Sequence, residues 1–86
     1  MSVWTTSWVL EGGQVTRSDT VNILNGRPVR GFHNAGAAAL TAVAVFQNGD
    51  TFTFRINSGD WIELAAKRIN STGSDAGVDT DLRWFI

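Results

Sequence analysis

The chain has 86 residues, a net charge of −1, no Cys, one His, four Trp and five Phe. A single domain of this size hides only about 60 to 65% of the surface its unfolded chain exposes. Its stability must therefore come from aromatic packing or oligomerisation, with no disulfide framework or thiolate metal site to help. The seven basic residues are scattered, only Lys67 and Arg68 being adjacent, which argues against a nucleic-acid surface. No apolar run approaches the roughly 18 to 20 residues that span a bilayer.

Residues 1–14 mix Val3, Trp4, Trp8, Val9 and Leu10 with Ser and Thr, and break at Gly12-Gly13. Two readings stand open, an edge strand or an arm that docks on a neighbouring subunit, because two indoles left in water would waste a large apolar area. Trp4, Trp8 and Val9 are accordingly candidate interface residues. The segment has neither the basic region nor the apolar block of a secretory signal, so a soluble protein made in a cytoplasm is expected. Residues 15–86 are expected to form one β domain. Asn25-Gly26 followed by Pro28 signals a turn, and a strand over residues 29–33 should begin near the proline, which has no ladder donor.

Residues 41–56, TAVAVFQNGDTFTFRI, read as the central β-hairpin. Asn48-Gly49 suits a two-residue type I′ turn, which would pair Val45 with Phe52, Val43 with Phe54 and Thr41 with Ile56 on one apolar face. The other face would hold Ala42, Ala44, Thr51, Thr53 and Arg55, with Phe46 as its one large apolar group. Ala37-Ala38-Ala39 ahead of it has helix propensity, set against the β-branched residues that follow. After a turn at Asn57-Ser58-Gly59-Asp60, residues 61–69 fit either of two elements. Asp60 and Glu63 make a capping box with apolar residues at helical spacing, while Ile62, Leu64 and Ala66 alternate as in a strand. Residues 70–77 are a polar loop, and Leu82, Trp84 and Ile86 alternate in a terminal strand.

Short strands between Gly and Asn turns, without alternating helices, predict an all-β fold, a small antiparallel sandwich or barrel. Catalysis has a poor supply of groups. His33 is the only imidazole, there is no Cys or Tyr, and a structural or interface role is favoured for it. Asp75, Asp79 and Asp81 lack the spacing of a calcium loop and read as a solvated acidic stretch. Asn70-Ser71-Thr72 matches a glycosylation acceptor that a chain without a secretory signal would not present, and the glycines form no nucleotide-binding pattern. No cofactor or metal is expected. Phe46 and Trp61 join the candidate interface residues, packing being favoured over the carbohydrate stacking that an aromatic group after a turn also permits.

The order of elements from His33 onward resembles the small β-rich virion proteins of tailed phages and gene transfer agents, of the head-spike base and capsid-decoration type. Gln47-Asn48-Gly49-Asp50 takes the place of the family's hairpin tip, and Thr51-Phe52-Thr53-Phe54 that of the strand after it. Gly59-Asp60-Trp61-Ile62 falls at the next turn, and Lys67-Arg68-Ile69-Asn70-Ser71-Thr72-Gly73-Ser74 at the basic strand and its Gly/Thr turn. Glu63 stands where the family carries Pro, and residues 37–40 are additional. The resemblance implies that residues 61–69 form a strand. It also implies a non-enzymatic structural component of a virion, assembled with copies of itself and with a major capsid protein or a fibre or spike protein. The alternative from another class is a carbohydrate-binding module for host attachment centred on Trp61.

Overall fold

The structure, a computed structural model, describes residues 11–25 and 27–86. Its elements in chain order are β1 (Gly12–Gln14), β2 (Gly31–Asn34), β3 (Leu40–Val45), β4 (Thr51–Ile56), β5 (Trp61–Glu63), β6 (Arg68–Ile69), α1 (Val78–Asp81) and β7 (Leu82–Phe85). Two antiparallel sheets result, ordered β1-β7-β2-β5 and β4-β3-β6, and they face each other as a small β-sandwich.

The core lies between them. Side-chain alternation turns Phe32 and Asn34 of β2 and Leu82 of β7 inward, against Leu40, Ala42 and Ala44 of β3, Phe54 and Ile56 of β4, and Ile69 of β6. Phe32 stacks on Phe54 with centroids 5.9 Å apart, which ties the middle of one sheet to the edge of the other. Burying each such ring stabilises the fold by about 1.5 to 3 kcal/mol relative to leaving it in water.

The central hairpin forms, in a register one residue away from the expected one. Val45 pairs with Thr51, Ala44 with Phe52, Ala42 with Phe54 and Leu40 with Ile56. The cause is the turn. Among the described residues none other than glycine has positive φ, so Asn48 does not take the left-handed conformation a type I′ turn requires; within this turn only Gly49 has positive φ, at 93°. Gly49 N–H donates to the Phe46 carbonyl at 2.9 Å and Phe46 N–H to the Asp50 carbonyl at 2.8 Å, closing a three-residue loop with a glycine bulge. Asn48 Oδ1 accepts the Asp50 N–H at 3.0 Å, so this asparagine serves the turn through its side chain. The shift exchanges the faces of β3. Leu40, Ala42 and Ala44 now line the core with Phe54 and Ile56, and Val43 faces away from it.

Two further departures concern chain direction. The strand from Pro28 starts later, at Gly31, and reaches Asn34. The predicted single strand over residues 61–69 is divided between the sheets. β5 ends at Glu63, and a corner follows in which Leu64 N–H donates to the Arg30 carbonyl at 2.9 Å and Val29 N–H to the Ala66 carbonyl at 2.9 Å. The chain then enters the second sheet as β6. Leu64 and Ala66 still pack on the core through the corner, so the inward alternation survives the bend. At the N-terminal side, β1 pairs with β7 at the edge of its sheet, and Ile86 N–H donates to the Glu11 carbonyl at 2.9 Å.

Candidate functional site

Two aromatic surfaces emerge from these elements, on different faces of the sandwich. The first is the outer face of the four-stranded sheet. Trp61 of β5 lies opposite His33 of β2, and Glu63 opposite Gly31, while β7 places Arg83 beside His33 and Phe85 beside Gly31. Alternation puts all of these on the side away from Phe32.

Trp61 and His33 stack with centroids 4.1 Å apart, and the Phe85 ring meets the indole edge-on at 5.2 Å. Gly31 makes this possible. A Cβ there would fall 2.2 Å from the Ile62 carbonyl oxygen and 2.6 Å from the Phe85 ring. Arg30 and Glu63 form an exposed ion pair at 3.2 Å and, with Trp61 and Phe85, line a shallow trough. Trp61 keeps 40% of its surface exposed.

His33 Nδ1 lies 3.2 Å from the Asp60 carbonyl, to which it donates as the N–H tautomer. Burial against the indole lowers the pKa of the ring below the ordinary histidine value, and the Arg83 guanidinium adds to the effect; the Asp60 bond opposes it. The imidazole is thus held as a packed, neutral ring.

The second surface is the hairpin tip. Phe46 and Phe52 stack at 6.4 Å, and Phe52 stacks on Phe54 at 6.4 Å, so a line of rings leads from the core outward. Phe54 is 6% exposed and Phe52 45%. The tip therefore carries exposed apolar surface. The shifted register explains why Phe46 stands with Phe52 here, on the core side of the hairpin rather than on the opposite face.

Of the expected interface residues, Phe46 and Trp61 are placed on these two separate surfaces; Trp4, Trp8 and Val9 lie outside the described residues. Phe52, expected on the apolar face opposite Val45, and Phe85 were not among the expected surface groups. Phe52 alternates with core residues, and nothing local reveals that its end of β4 is exposed. Phe85 alternates out of phase with Leu82 and Trp84, yet is 1% exposed.

The acidic stretch is committed to local structure. Asp75 Oδ2 accepts the Thr41 N–H at 2.9 Å. Asp79 accepts the Arg17 N–H at 2.9 Å and its Nε at 3.1 Å. Asp79 and Asp81 both sit in the first turn of α1, which residue patterning did not anticipate. Among the described residues no group of three or more His, Asp or Glu could hold a metal ion.

No protein-family model matches the chain, and no curated protein matches it. Among solved structures, a chain of the capsid of a native GTA (gene transfer agent) particle, computed with C5 symmetry, superposes on it with a TM-score of 0.70. The superposition covers 100% of both chains at 18% identity, a likeness of fold.

Proposed function

We propose that this chain is a structural component of a phage-like particle. It decorates the capsid or forms the base of a head spike or fibre, as a homo-oligomer held against a major capsid protein or a fibre or spike protein. The observation that carries the proposal is the full-length likeness, TM-score 0.70, to a chain of a GTA capsid. The architecture is compatible with it. A small sandwich with aromatic groups on two surfaces can act by contact alone, and symmetric repetition turns modest contacts per copy into firm attachment. On this reading the protein carries out no chemistry, is assembled in the host bacterial cytoplasm and ends in the virion.

Trp4, Trp8, Val9, Phe46 and Trp61 are the proposed contact residues. Because Gly12 and Gly13 belong to β1, a deletion that tests the N-terminal segment should stop at residue 10. The shortened chain should fold with an unchanged unfolding midpoint and co-sediment less with capsids; undiminished co-sedimentation and oligomeric state would exclude the arm.

A second reading, glycan binding, is favoured by one observation: a 40% exposed Trp61 stands beside the Arg30–Glu63 ion pair. Glycan-array binding abolished by Trp61→Ala in a folded protein would support it. No glycan binding by the wild-type chain would dismiss it.

A further inference from the structure

The edges of the three-stranded sheet are treated differently. On one side β6 and the residues after it occupy β3. Lys67 N–H donates to the Val45 carbonyl at 2.8 Å, Asn70 N–H to the Val43 carbonyl at 2.8 Å and Asp75 N–H to the Thr41 carbonyl at 2.9 Å. The outer side of β6 is covered in turn, since Ser18 N–H donates to the Ile69 carbonyl at 2.8 Å and Ile23 N–H to the Lys67 carbonyl at 2.8 Å.

On the other side, among the described residues, the sheet ends at β4. With Thr41, Val43 and Val45 bonded toward β6, β3 presents Leu40, Ala42 and Ala44 to β4. These oppose Ile56, Phe54 and Phe52. Thr51, Thr53 and Arg55 therefore direct their N–H and C=O groups away from the sheet, and all three are exposed. Natural edges are blunted by Pro, Lys, bulges or short length. β4 has six residues, TFTFRI, with no Pro and a single charge, and beyond the bulge at the turn it pairs with β3 without interruption from Thr51 to Ile56.

We infer that β4 is an association edge and that its occupant is β4 of a second copy, antiparallel about a two-fold axis at Thr53. This register is self-complementary. Thr53 faces Thr53 of the other copy and Thr51 faces Arg55, so every outward main-chain group of the strand between Thr51 and Arg55 gains a partner. Phe52 falls opposite Phe54 of the other copy, in the closely spaced type of pair, and covers the ring that the monomer leaves 45% exposed. The two Arg55 side chains stand about 13 Å apart along the strands, beyond the screening length of about 10 Å at 0.1 M salt. No like charges oppose. The result is one continuous sheet through both copies. This inference does not depend on the virion reading: capsid binding can fail while the pairing stands.

The test uses the 86-residue chain, whose lack of cysteine makes introduced thiols unambiguous. Light scattering after size exclusion should give the mass of two chains. Thr53→Cys should form an intermolecular disulfide on mild oxidation, because opposed Cα atoms about 5.5 Å apart lie within disulfide range. Ser58→Cys, in the exposed turn after β4, should not. Thr53→Lys sets two ammonium groups face to face at the axis and should weaken association about tenfold or more, with the circular dichroism of the fold retained. A wild-type chain that stays monomeric overturns the inference. So does an assembly that survives Thr53→Lys in a folded protein, or one in which Thr53→Cys fails to cross-link. Should Thr53→Lys unfold, the cross-linking pair alone decides.

Discussion

Asn34 joins the two sheets through Ile56: its side-chain Nδ2 donates to the Ile56 carbonyl of β4 at 3.1 Å while its backbone belongs to β2. The same nitrogen donates to the Ala38 carbonyl at 2.8 Å, and Oδ1 accepts the Gly36 N–H at 2.9 Å. Among the described residues Asn34 is the one buried polar residue, at 0% exposure, and its three side-chain bonds all go to main chain. Asn34→Ala strands those groups and should destabilise the fold by about 2 to 3 kcal/mol, measured by urea unfolding at constant m. Asn34→Asp adds a test of sign. A carboxylate cannot donate to two carbonyls, so the folded state holds the acid protonated, with a pKa above the unfolded value of about 3.9. Stability of this variant relative to wild type should be greatest below that value and fall as pH rises through the folded pKa.

The Trp61–His33 stack gives a titration. Burial lowers the His33 pKa, with Arg83 contributing. The folded protein then binds a proton less readily than the unfolded chain, so the stability this residue contributes is full above the unfolded value of about 6.5 and is lost as pH falls. As the only histidine, His33 yields a single imidazole resonance set. Its NMR midpoint should fall below 6.5 and move upward in Trp61→Ala, where the ring loses the indole that covers it.

At lower pH the carboxylates that hold the loops take over. Asp79 is kept below its ordinary pKa first by the Arg17 N–H, then by the guanidinium of the same residue. Asp19 is lowered by the Thr72 N–H, at 2.9 Å, and hydroxyl, at 2.7 Å. Depressed carboxylate values mean stabilisation that is present above about pH 4 and disappears as pH drops through the folded values. Asp79→Asn should be less stable than wild type at pH 6 and approach it near pH 2, as read from urea midpoints across that range.

Two glycines should respond to alanine in an order that turn chemistry alone would reverse. Gly49 has φ 93° and open space around its Cα, so Gly49→Ala meets only backbone strain, about 1 to 2 kcal/mol. Gly31 has no positive φ, yet a Cβ there collides with the Ile62 carbonyl at 2.2 Å and with Phe85. Gly31→Ala should lower stability by about 3 kcal/mol and release the Phe85–Trp61 contact, seen as a change in near-ultraviolet circular dichroism. Equal losses in the two variants would mean that the strands do not approach this closely.

Much of this architecture was legible in the sequence because short alternating runs between Gly and Asn turns leave few alternatives to an antiparallel sandwich. The hairpin and the terminal strand follow from it; residues 61–69 fit a helix or a strand equally well by their own pattern, and only the family resemblance implies a strand. The hairpin's register did not follow, since Asn48-Gly49 serves a two-residue or a three-residue loop equally well, and LTAVAV is apolar on both faces. A slip of one residue there leaves a plausible core. The corner at Leu64 is fixed by bonds to Arg30 and Ala66 from a distant strand, which no local pattern encodes. Of the surface groups, Trp61 was visible as an aromatic residue after a turn; its stack on His33 depends on the pairing of β5 with β2, and the exposure of Phe52 on its place near the hairpin tip.

The central claim is that the chain is a stoichiometric part of a particle. Particles purified from cells that carry this sequence, quantified by mass spectrometry and imaged by cryo-electron microscopy, test it most directly. The account predicts a fixed copy number compatible with the particle symmetry, and density on the shell or at a spike base that accepts the sandwich. Purified particles that lack the chain, and assemble unchanged when it is deleted, would contradict it.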